Sequence, residues 1–141
     1  MTQSAPMPVP EQMEFGHGLC QYRPRGQHSL VDAVELISRA ISMCRARRVA
    51  RLLVDVTGLT DIPIPTLVDR FLMVEDWAHE SKGVVAVAMV AHEQYLHPKR
   101  FGVTLALQLG LVCDVFTTEE AAMKWLLDSG TAGATQLEGA R

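Results

Sequence analysis

Residues 91–97 read Ala-His-Glu-Gln-Tyr-Leu-His, and His92, Glu93 and His97 are residue types that hold metal ions or move protons. Their spacing is close to the His-Glu-x-x-His pattern of zinc peptidases, in which histidines four apart share one helix face and the glutamate acts as base. Here the histidines are five apart, which turns them about 140° from each other around a helix, and Pro98 follows at once. The pattern fails as a helical zinc site. Polar residues on a solvated connection are the favoured reading, and an enzyme using the His92–His97 rim is the weakest functional one.

A second stretch, Val54 to Thr66 (VDVTGLTDIPIPT), begins like the end of a buried strand, passes two prolines and closes on a helix-capping residue. Pro63 and Pro65 each fix their own φ and push the preceding residue toward extended geometry. Thr66 with Asp69 has the spacing of a capping box. The basic cluster of Arg45, Arg47, Arg48 and Arg51 follows a helix, where arginines answer the partial negative charge of unpaired carbonyls. Cys20, Cys44 and Cys113 are odd in number, with no C-x-x-C, and read as reduced thiols, Cys44 and Cys113 as small buried hydrophobes. No Gly-rich phosphate loop, nucleophile elbow or catalytic carboxylate pair occurs, so no catalytic residue, metal or cofactor is assigned.

The elements that must position these residues are legible from periodicity. RLLVDV (51–56), VVAVAMVA (84–91) and LVCDVF (111–116) are nearly continuous apolar runs, as strands covered on both faces must be. Between them run amphipathic helices. One opens at Ser29 with Asp32, carries Leu30, Val34, Ile37, Ile41 and Cys44, and ends near Arg47. A second opens at Thr66 and is expected to bury Leu67, Phe71, Val74 and Ala78. A third has Pro98 in its first turn, includes Arg100, Phe101 and Gly102, and stops at Gly110; a fourth starts from Thr117 with Glu120 and carries Ala121, Trp125 and Leu126. Met13–Arg23 reads as a bent strand or loose hairpin. The alternation predicts an α/β domain with a mostly parallel sheet of four to five strands, an N-terminal edge strand open to antiparallel pairing, and about four helices.

The 141 residues suit one domain, placed at 11–128, with tails at 1–10 and 129–141 expected to be disordered. Thirteen Lys and Arg against sixteen Asp and Glu give a formal charge of −3, which argues against nucleic acid as a partner. No basic leader and no membrane-spanning apolar run precedes the domain, so a cytoplasmic location is expected. In an open α/β sheet, ligands favour the crevice beyond the carboxyl ends of the strands. That puts Asp61, His92, Glu93, Tyr95 and His97 on one rim, with Thr66 and Arg100 at the helix starts beside it.

LLVDVTGLTDIPIPTLVDRF resembles the strand–turn–helix of STAS domains, the fold of bacterial anti-anti-sigma factors, and PKRFGVTLALQLGLVCDVFTTEEAAMKWL resembles the C-terminal half of their SpoIIAA-like branch. The resemblance covers roughly residues 19–127 and implies a regulatory module, with a homodimer or a docked protein as partner. Regulatory members carry a phosphorylated serine or threonine in the turn, where added charge breaks a complex. Aligning Asp55 with the family's strand end puts Ile64 or Pro65 at the acceptor position, and neither takes a phosphate. A non-enzymatic interaction module without the phosphoacceptor is therefore the leading expectation. The alternative is a small-molecule or lipid-binding domain, since the family is similar in fold to CRAL-TRIO lipid-transfer domains. Phe71, Met73, Leu105, Leu107 and Met123 are its candidate pocket.

Overall fold

The structure, a computed structural model, describes residues 12–96 and 99–128. Its elements are β1 (Met13–Gly16), β2 (Leu19–Tyr22), β3 (Gly26–Gln27), α1 (Leu30–Ala46), β4 (Arg51–Asp55), β5 (Leu59–Thr60), α2 (Leu67–Ser81), β6 (Ala86–Val90), α3 (Phe101–Gln108), β7 (Cys113–Phe116) and α4 (119–128). Five strands form one sheet in the order β1-β2-β4-β6-β7. The β1–β2 pair is antiparallel and every other neighbour is parallel, as the α/β pattern implied. His17 (φ 55°) and Gly18 (φ 73°) are both left-handed, which suits a tight two-residue hairpin between β1 and β2. The two-residue strands β3 and β5 form a separate parallel pair that periodicity does not announce.

The central strands are buried on both faces, and their side chains alternate between two layers. Leu52, Val54, Val87 and Met89 face a core shared with Ile37, Ile41 and Cys44 of α1, Val74 and Trp77 of α2, and Ala106 of α3. Leu53, Ala86, Ala88 and Val90 face the opposite layer, where α4 contributes Ala122 and Leu126. Three helices therefore cover one face and one covers the other. Among the described residues, no helix is long and apolar enough to cross a membrane.

Helix ends follow their capping chemistry, with two corrections. Ser29 Oγ accepts from the Asp32 amide, and Thr66 and Asp69 complete a reciprocal capping box. α3 begins at Phe101, later than expected, because Arg100 is left-handed (φ 51°) and stands outside the helix as its N-cap; Pro98 lies outside the described residues. Its end is a Schellman turn: Gly110 (φ 82°) donates to Leu107 and Leu111 donates to Ala106. The hydroxyl that caps α4 is Thr118, which accepts from the Ala121 amide, rather than Thr117. The one-residue shift turns Ala122 inward and leaves Ala121 exposed.

α2 departs most from expectation. Val74 and Trp77 are buried and Ala78 is half-buried, but Leu67 and Phe71 are 54% and 41% exposed. Apolar residues occupy more of this helix than one core-facing stripe accommodates. Packing against α1 selects the Val74–Trp77 side. Trp77 Nε1 donates to the Val34 carbonyl at 3.2 Å, Ser38 Oγ to Asp76 at 2.6 Å and Arg45 Nε to the Glu80 carbonyl at 2.7 Å, which together lock the two helices. Two members of the basic cluster are engaged within the fold, Arg45 on α2 and Arg47 over the Phe15 ring.

α4 is held by a charged clamp. Arg23 Nε and Nη2 donate to the two carboxylate oxygens of Glu119, each at 2.8 Å, and Asp55 sits against the same carboxylate while accepting from Thr57. The Arg23 guanidinium holds the Glu119 carboxyl down at about 2, so this ion pair is complete above the usual carboxylate range and is lost as pH falls toward about 2. Burial, with Glu119 alongside, raises Asp55, whose contribution has the opposite sign: full below the ordinary aspartate range and lost as pH rises. Asp55→Asn supplies a donor to Glu119 without a proton. It is expected to be more stable than wild type at pH 7 and equal to it near pH 3, whereas Glu119→Gln loses about 1 kcal/mol at pH 7. Urea unfolding at both pH values checks this, and an Asp55→Asn protein less stable at pH 7 would contradict the upward shift of Asp55 beside Glu119.

Candidate functional site

Between the sheet and its three-helix layer, toward the carboxyl ends of β4 and β6, lies a cavity of about 140 Å³. Val56 and Ala91, the residues that follow β4 and β6, line it from the sheet side. α1 contributes Val34 and Ile37 to the wall, α2 contributes Met73, Val74 and Trp77, and the sheet floor includes Met89 and Val115. Trp77 is 3% exposed and fully engaged through its Nε1–H, so it acts as a fixed wall.

The mouth is built from the two loops that the sequence marks as a rim. Tyr95, closing the short 3-10 turn Glu93–Tyr95, donates its hydroxyl to the Ile62 carbonyl at 2.5 Å and straps the 91–96 loop to the turn before α2. A His92 ring nitrogen lies 3.3 Å from the Thr57 carbonyl and makes a second link between the same loops. Leu59, Ile62 and Pro65 complete the apolar side of the opening. The stiff proline-rich turn therefore shapes one lip of a cavity.

The candidate residues divide. Tyr95 and Arg100 line the cavity; Arg100 pairs with Asp114 and donates to the Val115 carbonyl at 3.3 Å. Thr66 is occupied as the cap of α2, Asp61 is an exposed left-handed turn residue (φ 63°), and Glu93 is exposed. His92 serves the loop link, and His97 lies outside the described residues. Among the described residues, no three of His, Cys, Asp and Glu gather as a metal site. Of the pocket residues expected from the sequence, Met73 alone lines the cavity. Phe71 and Leu107 point to solvent, Leu105 packs at the edge of the three-helix core, and Met123 belongs to the opposite layer.

Sequence reading missed Arg70, which lines the cavity and donates Nη1 to the Tyr95 carbonyl at 3.2 Å. The signal is present in the spacing. Arg70, Val74 and Trp77 recur at i, i+4 and i+7, so a cation occupies the buried stripe of an amphipathic helix, where an apolar residue is the ordinary choice.

Comparison with protein-family models, with curated proteins and with solved structures returns no match to this chain. Its function is therefore argued from the geometry of the site.

The three thiols report on the two environments. Cys20 and Cys44 are wholly inaccessible, and the Cys44 thiol is pushed up by its hydrogen bond with Cys20 and by burial. Cys113 is enclosed by protein yet faces the cavity, and burial pushes its thiol up to about 12 against the opposing influence of Arg100. At pH 8 the folded protein is expected to alkylate at Cys113 first, at least about a hundredfold slower than a free cysteine titrating near 8.5. Cys20 and Cys44 should react after unfolding. Peptide mass mapping after iodoacetamide treatment checks the order, and early labelling of Cys44 would show that the β2–α1 core opens readily.

Proposed function

We propose that the chain is a non-enzymatic ligand-binding module that holds one small, largely apolar molecule between the sheet and α1–α3. The observation that carries this reading is the cavity itself, about 140 Å³, with a wall that is apolar apart from Arg70, Tyr95, Arg100 and the Cys113 thiol. A few polar groups around an apolar chamber are what orient a small ligand. An engineered apolar cavity of about 150 Å³ stays dry and accepts benzene, which sets the size of the body this one takes.

Gly102 gives the reading its sharpest test. It sits on the cavity wall inside α3, and a Cβ there would meet nothing nearer than Val74 Cγ2 at 4.0 Å. Glycine within a helix costs about 1 kcal/mol relative to alanine. Gly102→Ala is therefore expected to raise stability by roughly that amount, and Gly102→Leu to fill the chamber and displace the ligand. Native mass spectrometry of gently purified wild type should show an excess mass that denaturation releases and that Gly102→Leu lacks. Equal retention by both proteins would place the ligand elsewhere.

A second reading, a STAS-like docking module without a phosphoacceptor, is favoured by a different observation. Ile64, Leu67, Val68, Phe71 and Leu72 are exposed together on the turn before α2 and the outer side of that helix. Contiguous apolar surface of this kind marks contact sites, a second copy of the chain included. The double substitution Val68→Glu and Leu72→Glu is expected to abolish self-association in sedimentation and to leave ligand retention unchanged. A wild type that stays monomeric at its highest soluble concentration rejects the homodimer.

A further inference from the structure

The cavity wall carries two cations and no carboxylate. The two are not equivalent. Arg100 is matched by Asp114 and also donates to the Val115 carbonyl, so its charge is answered within the fold. Arg70 is half-buried and donates to a neutral group, the Tyr95 carbonyl. Among the described residues no carboxylate forms an ion pair with it. A guanidinium presents five N–H donors, and a partly desolvated one with no anion is electrostatically incomplete.

We propose that the ligand is a small aryl or cycloalkyl monocarboxylate, with its carboxylate on the open edge of the Arg70 guanidinium and its ring in the apolar chamber. The assignment rests on the ligand-binding reading above and specifies its chemistry. The anion class follows from the donor set. With one edge of Arg70 held by Tyr95 and with Arg100 already paired, the wall offers one planar fork of single charge. That fork matches a carboxylate, whereas a dianionic phosphate would need further donors or a second free cation.

The body of the ligand follows from size and lining. About 140 Å³ accommodates one ring. Met73, Met89 and Trp77 surround it, and thioether sulfur and indole both favour contact with an aromatic ring. Tyr95 supplies the geometry. Its hydroxyl fastens one loop to Ile62 while its carbonyl receives Arg70, so the strap across the mouth also aims the guanidinium.

NMR titration of the full chain with benzoate, its neutral planar counterpart benzamide, and toluene separates head from body. Wild type is expected to bind benzoate at least tenfold more tightly than benzamide, and Arg70→Gln to erase that ratio while toluene affinity stays the same. A ratio near one in wild type, or an undiminished ratio in Arg70→Gln, overturns the carboxylate assignment and leaves the cavity reading intact. Failure of all three probes to shift resonances of Trp77 and Met73 overturns the cavity reading as well. Should Arg70→Gln not fold, Arg70→Lys keeps the charge and the aliphatic stem but loses the fork. A severalfold drop in the ratio then supports the assignment, and an unchanged ratio rejects it.

Discussion

The indole of Trp77 sets the spacing of the helical layer. A side chain of this bulk between α1 and α2, bonded to the Val34 carbonyl, fixes how far the two helices stand apart and how α2 is rolled about its axis. The Ser38–Asp76 and Arg45–Glu80 contacts lie along the same pair of helices and prevent the roll from relaxing. The rest of the site follows from that roll. Arg70 and Met73 are carried inward with Trp77 onto the cavity wall, and Phe71 and Leu72 are carried outward.

Much of this architecture was legible in the sequence because its physical causes are local. Continuous apolar runs announced β4, β6 and β7, capping hydroxyls announced α1 and α2, and Gly110 announced the end of α3. What was not legible depends on choices made between elements. Leu67 and Phe71 fit a helical stripe as well as Val74 does, and only the α1 contact decides which side of α2 is buried. β3 and β5 are two residues each, too short for a period to register, and their pairing depends on where two loops meet. Of the rim residues, Tyr95 and Arg100 line the cavity. Arg70 was not legible, because a single arginine in an amphipathic helix ordinarily faces solvent and only the roll of α2 against α1 turns this one onto the cavity wall.

Two arginines illustrate how the same side chain divides between structure and function. Arg23 has its fork filled by both oxygens of Glu119, and the consequence is architectural: the start of α4 is tied to the end of β2 beside β4, across the layer opposite the cavity. Its charge is answered by the chain, and a ligand has nothing to add there. Arg70 has one edge filled by a carbonyl and no charge answered. Burial alone does not distinguish the two, since both are half-buried. The distinction lies in whether the counter-charge is part of the sequence.

The cavity raises an energetic question that its occupant answers. Apolar wall that lacks packing partners forfeits dispersion contacts that a filled core would make. A substitution at Gly102 has the room to recover part of them. A ligand that fits recovers the same contacts without changing the sequence, by binding the folded chain and not the unfolded one. The void and the unanswered charge of Arg70 are then two halves of one feature. Each is unfavourable alone, and a molecule with an apolar body and an anionic head relieves both at once.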